Sequence, residues 1–201
     1  MTLVEKQALY SEFFTISLSL QLNLVEFKDN ETVPDKAGFL DEMPFVFKLA
    51  TQVNSIEAES LRTIKNMGKQ ADELINFLNL QSQKIDLIIS YILMQEDSES
   101  DRYQSQEFGA GGLTIQSDKK WPLEQKFRLK IFIPDESSAV YCYAEIIEAT
   151  PIDNGFNYKL VYSQIREEDR EILVRTALHQ QSKQLRQLAQ QKAQQASDSS
   201  N

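Results

Sequence analysis

The chain has 201 residues, of which 21 are basic and 30 acidic, a formal net charge of -9. That length allows one or two domains with a core of ordinary size. The acidic balance argues against general binding to DNA, RNA or an anionic lipid surface, each of which wants a basic face. Cys142 is the single cysteine and lies in an apolar run, so a reduced, buried thiol is expected rather than a disulfide. Glu5 lies close to the N-terminus, the start lacks a signal-peptide pattern, and no uninterrupted apolar stretch is long enough to span a bilayer. The sequence therefore reads as a soluble, cytoplasmic protein without membrane insertion.

In chain order, Val4 to Tyr10 predicts a short helix. Ile16, Leu18, Leu20, Leu22 and Leu24 then alternate with Ser17, Ser19, Gln21 and Asn23, and period two over that many positions predicts one strand with one buried face. Lys28 to Gly38, with Asp29, Asn30 and Pro34, is loop chemistry. A short apolar stretch around Phe39 to Phe47 leads into the dominant feature of the sequence.

From about Phe47 to Glu96 no proline interrupts a run that could reach about 75 Å as helix. With Ile64 at heptad position a, Ala71, Leu78, Ile85 and Ile92 follow at a, Met67, Leu74 and Ile88 fall at d, and Leu61, Ile75 and Ile89 at e. The firm part is Leu61 to Ile92. A rod of that length cannot bury its seam against a small domain, so self-assembly is expected, with an intramolecular helical hairpin as the other reading. Ile at both a and d favours more than two strands, and Gln81 at d is the kind of polar layer that fixes register. A homotetramer is the favoured assembly. The helix is expected to end near Asp97, where the run from Asp97 to Asp101 reads as a solvated acidic linker.

From Tyr103 the pattern changes to short strands, with candidates at Leu113 to Gln116, Phe127 to Ile133, Val140 to Thr150 and Phe156 to Tyr162, the last two joined by an Asp153-Asn154-Gly155 hairpin turn. Together with the N-terminal strand they suggest a small closed barrel, the rod being an insertion into it. The acidic start Arg166 to Glu171 opens a second helix continued by Val174, Leu178, Leu185 and Leu188, able to cap the barrel. The Gln, Ala and Ser tail has too little apolar surface to order itself.

The catalytic inventory is thin. His179, the single histidine, sits in the second helix with no cysteine or carboxylate at metal-ligand spacing, and Cys142 has no evident base. No enzyme, metal or cofactor is read here. One loop stands out: three of the six glycines fall in Glu107-Phe108-Gly109-Ala110-Gly111-Gly112-Leu113. Glycines so packed free the backbone for positive φ or for close approach by a partner, or simply make a tight turn or bulge.

The glycine turn, Leu113-Thr114-Ile115, the Trp121-Pro122-Leu123 turn, the strand ending in Pro134, and Leu160 to Ile165 running into Asp169, Arg170, Leu173 and Leu178 together resemble a PilZ domain. The inserted heptads make the chain most similar to the atypical, tetramer-forming PilZ subfamily. The resemblance covers residues 10–27 and 103–188 and implies an α+β fold: a small antiparallel PilZ-like barrel with a long inserted coiled-coil helix and a C-terminal helix. It divides the chain into 1–38 with the first strand, 39–97 as the oligomerisation segment, 98–165 as the rest of the barrel, 166–189 as the C-terminal helix and 190–201 as a disordered tail. It implies a role in bacterial cyclic di-GMP signalling. The family's contacts to that messenger come from an R-x-x-x-R motif and a D/N-x-S-x-x-G motif. Here no arginine precedes Arg62, Glu107 stands for the Asp or Asn, Gly109 for the Ser, and only Gly112 matches. Arg102, Glu107, Gly109 and Gly112 are the candidate ligand residues, with Arg128, Arg166 and Arg170 available elsewhere. The missing guanidinium forks weigh against cyclic di-GMP binding in the family's usual mode. The expectation is a non-enzymatic regulatory module acting through protein contacts, the partner unidentified, with an inert coiled-coil scaffold as the alternative.

Overall fold

The computed structural model describes residues 2–28, 31–52 and 72–198. Helix α1 (Leu3–Ser11) starts on a capping box: the Glu5 amide donates to the Thr2 hydroxyl at 3.3 Å and the Thr2 amide to the Glu5 carboxylate at 2.7 Å. It leads into β1 (Thr15–Ser17) and β2 (Gln21–Glu26). Next come α2 (Lys36–Glu42), α3 (residues 45–52) and α4 (Asp72–Gln95). The remaining elements are β3 (Arg102–Gly109), β4 (Gly112–Ser117), β5 (Lys126–Ile133), β6 (Ser138–Ile152), β7 (Gly155–Gln164) and α5 (Glu167–Asp198).

All pairings are antiparallel. β2, β5, β6, β7, β4 and β3 pair in that order, and β3 pairs back onto β2, closing a barrel. Closure leaves no open edge along the ring. The β6–β7 hairpin turns at Asp153-Asn154 into Gly155, whose φ of 129° only glycine adopts freely.

Strand β6 shows how the layers are organised, for its residues Ser138–Ile147 are all buried. Its inward side chains Val140, Cys142, Ala144 and Ile146 join the barrel core with Leu22, Phe108, Leu113, Phe127, Leu129 and Leu160. Its outward residues Ala139, Tyr141 and Tyr143 meet a second core built by Phe39 of α2, Phe47 and Ala50 of α3, and Ile89 and Leu93 of α4. A strand covered on both faces loses the polar alternation of a half-exposed one. Ile172, Leu173 and Ala177 of α5 plug the barrel mouth. Asp169 at the start of α5 is fully buried, and there Arg166 holds it at 2.7 Å while the Thr51 hydroxyl donates to it at 3.0 Å.

Four expectations need correction. The N-terminal strand is broken, β1 and β2 both pairing β3 in registers one residue apart. The Ser105 hydroxyl stitches the break, donating to the Leu18 carbonyl at 2.6 Å and accepting from the Leu20 amide at 2.9 Å. The residues before the glycine turn form a strand, β3, that the sequence reading passed over. The run after α4 is no solvated linker, since Asp97 accepts from Asn23 at 2.9 Å and pairs with Arg102, and Glu99–Asp101 make a 3-10 turn. Finally, α5 runs on to Asp198, past the expected helix end at 189.

Candidate functional site

The β3–β4 hairpin brings Glu107, Gly109 and Gly112 together, and residues 109–112 are all buried. Their glycines answer close approach rather than positive φ, which among the described glycines only Gly155 adopts. A Cβ on Gly112 would lie 2.1 Å from the Leu160 carbonyl oxygen and 2.6 Å from the Tyr10 ring. One on Gly111 would lie 2.7 Å from the Leu9 carbonyl oxygen, and one on Gly109 2.5 Å from that of Phe14. The chain that approaches this backbone so closely is thus its own: the end of α1, the residues after it, and the neighbouring strand.

Two long-range contacts hold that cover down. Lys6 of α1 pairs with Glu145 of β6, both buried, and reaches Glu124 at 3.1 Å. Burial pulls the Lys6 ammonium down, and its bonds to Glu145 and Glu124 outweigh burial, leaving its pKa above the ordinary lysine value. Tyr10 packs with Ile147 and Val161, and burial, with Glu107 and Glu148 nearby, pushes its phenol up to about 12. From the other side Arg170 donates to the Ala110 carbonyl at 2.7 Å and lies over the Phe13 ring at 5.3 Å.

The remaining candidates are not brought to this turn. Arg102 begins β3 while Gly109 ends it, a separation of roughly 23 Å along a strand, and Arg102 is bound to Asp97. Arg166 is spent on Asp169 and Thr51. Arg128 lies 3.9 Å over the Phe27 ring, bonds Glu42 at 2.9 Å through two nitrogens and pairs with Glu31. Glu42 also accepts from the Tyr143 hydroxyl at 2.8 Å, so this cluster fastens α2 to the barrel. Glu107 is exposed, its amide donating to the Thr114 hydroxyl at 3.0 Å. Sequence reasoning missed Lys6, Tyr10 and Glu145 as the residues that hold α1 against the turn. The capping box at Thr2 and Glu5 signalled the helix but nothing about where it docks.

The clasp at Glu42 carries a pH prediction. The hydrogen bond from Arg128 chiefly, then those from the two tyrosines, outweigh burial and hold its carboxyl below the usual range. A depressed folded pKa gives stability that is present above the ordinary carboxylate value and lost as pH falls through the folded one. Glu42→Gln is therefore expected to cost about 1 kcal/mol at neutral pH, the site being partly exposed. In thermal unfolding the gap to wild type should close progressively below about pH 4.3.

Burial holds the Cys142 thiol well above its ordinary pKa, and His179 sits exposed, with Nδ1 3.0 Å from Glu136. Among the described residues no cluster of three His, Cys, Asp or Glu could hold a metal, and no helix is long and apolar enough to cross a membrane.

Of the heptad residues, Leu61, Ile64, Met67 and Ala71 lie outside the described residues. Along α4, Leu74, Ile85, Ile88 and Ile92 are exposed, while Ile75, Leu78 and Gln81 are half-buried. Ile89 departs from the seam: with Leu93 it is buried in the second core, against the chain's own barrel. Phe77, Leu80, Leu87, Tyr91 and Met94 are exposed as well. Among the described residues α4 packs on its own chain through Ile89 and Leu93, and most of its other apolar side chains are left exposed.

A family model described as the PilZ domain matches residues 79–178. The chain carries a PilZ domain. The matched span runs from within α4 to within α5, takes in β3 to β7 and includes the glycine turn; α1, β1 and β2 precede it. Among solved structures, the chain is similar to a pathogenic protein from Xanthomonas campestris, described as a tetrameric PilZ domain self-assembled via an unusual helical bundle. The TM-score is 0.55 at 13% identity, covering 89% of this chain and 96% of that one. A second match is the Bacillus subtilis inhibitor of motility (MotI/DgrA), with TM-score 0.38 and 20% identity over 41% of this chain and 42% of that one. A search of curated protein sequences finds no match. The PilZ assignment thus rests on the family model, and the Xanthomonas likeness is one of fold, across 89% of this chain.

Proposed function

We propose that this chain is a non-enzymatic regulatory PilZ module of the bacterial cyclic di-GMP pathway that self-assembles through α4 and works by protein contacts. The observation that carries the reading is the covered glycine turn. The backbone of residues 109–112, where the family's second ligand motif falls, is occupied by α1 and the segment after it. The motif itself keeps only Gly112, and the first motif has no arginine to supply it. A ligand would have to lift α1 off, breaking the buried pair of Lys6 and Glu145.

Self-assembly is supported by the apolar surface left around α4 after Ile89 and Leu93 have been used internally. The Xanthomonas protein of similar fold, a tetramer held by a helical bundle, supports four chains as the stoichiometry. Light scattering on the eluting peak of a sizing column tests this. A mass of four chains at low protein concentration is expected; a single-chain mass would overturn the self-assembling part of the reading.

A further inference from the structure

Helix α5 is 32 residues long, about 48 Å of helix. The barrel covers only part of it: Asp169, Ile172, Leu173, Thr176 and Ala177 are buried, and the Gln184 side-chain Nε2 donates to the Ser17 carbonyl at 3.0 Å. Residues 185–190 are all exposed. The outward face carries Val174, Leu178, Gln181, Leu185 and Leu188 in alternating steps of four and three residues, the spacing of a helix–helix seam. Leu178 is 49% exposed, Leu185 60% and Leu188 52%. At the barrel end, Phe13 from the segment after α1 walls one side of a groove of about 770 Å³ that Val174 and Leu178 also line.

We propose that this face docks the α5 of a second copy of the chain, antiparallel to it. Charge selects both occupant and direction. The first turns carry Glu167, Glu168, Asp169 and Glu171 against one base, Arg170, while Arg175, Lys183 (3.9 Å from Asp135 of its own chain) and Arg186 follow, with no acidic residue from Ile172 through Ser197. A helix acidic at one end and basic beyond is complementary to itself only when reversed. Setting Val174 of one copy against Leu185 of the other also sets Leu178 against Gln181 and Glu171 against Leu188, within a turn of Arg186. Leu185 and Leu188 of each copy then fill the groove beside Phe13 of the other. A parallel pair would oppose acid to acid and base to base. The contact is a two-fold, self-matching one, and a single helix pair lies at the small end of interface sizes, so it is concentration-dependent. It is separate from the α4 seam and links chains that α4 does not.

Sedimentation of the full chain against concentration tests this, in an Ile85→Asp background that disables the α4 seam. A shift from one chain to two with rising concentration is expected, abolished by Leu185→Glu. Glu171→Lys alone should weaken the pairing at least tenfold, and Glu171→Lys with Arg186→Glu should restore it. Thermal unfolding should show Leu185→Glu as stable as its parent, since Leu185 is exposed in the single chain. A single-chain mass at every concentration in the Ile85→Asp background overturns the α5 pair. So does a charge swap that rescues nothing, or a Leu185→Glu change in wild type that dismantles the α4-borne assembly itself, which would assign the face to that bundle. If Ile85→Asp leaves the wild-type mass intact, it is the α4 reading that fails, and wild type against Leu185→Glu still decides the α5 pair.

Discussion

Ile85→Asp or Ile92→Asp should take the protein from its assembled mass to single chains, or to concentration-dependent pairs. Both residues lie at position a and are 41% and 39% exposed in the isolated chain, so the variants should fold. In an assembly each copy would instead bury an unpaired carboxylate in the seam, at several kcal/mol per copy. Since about 1.4 kcal/mol is a tenfold change in an equilibrium constant, even one such penalty per copy should move dissociation by more than a hundredfold. Ile89→Asp is the control that separates the faces of α4. Ile89 is 4% exposed within the chain's own second core, so its replacement should lower the melting temperature of the chain itself, whatever the state of assembly. If Ile85→Asp melted the fold and Ile89→Asp only changed the mass, the two faces would be reversed.

Lys6→Ala is expected to cost about 3 kcal/mol, because it leaves Glu145 buried without its partner. For a chain of this size that corresponds to a fall of roughly 6–12 °C in Tm. The loss should be local first: hydrogen exchange is expected to show α1 and the 109–112 turn losing protection ahead of the rest of the barrel. The raised Lys6 pKa means its contribution is complete below the ordinary lysine range and is lost as pH rises through the folded value. Replacing both partners, Lys6→Met with Glu145→Leu, should recover most of the stability, since an apolar pair has no charge to desolvate. A double variant as weak as Lys6→Ala would mean that the ion pair was not what held α1.

What the sequence made legible follows from how local the cause was. The alternation in β5 and β7, the Asp153-Asn154-Gly155 turn and the heptads of α4 are short-range patterns, and each element lies where its pattern fell. β3 went unread because its outer residues Gln104, Gln106 and Glu107 are polar and little beyond Ser105 and Phe108 marks an inner face. The break between β1 and β2 depends on a serine 85 residues away from Leu20. Ile89 sits in the heptad like any other e residue, and only the second core under α2 and α3 claims it. The same limit governs the site. The glycine run was conspicuous, but its cover was not, because Lys6 and Glu145 are separated by 139 residues. Arg102 looked close to the turn in sequence, and the extended geometry of β3 carries it to the other end of the barrel wall.

The central claim is that this PilZ barrel has closed its glycine turn with its own N-terminal helix and works through protein surfaces. Calorimetric titration with cyclic di-GMP, on a sample of verified mass, tests it most directly. No saturable heat and no shift in Tm are expected. Saturable binding at micromolar or tighter affinity would contradict the account, and Glu107, Gly112 and Lys6 would then be the first positions to change.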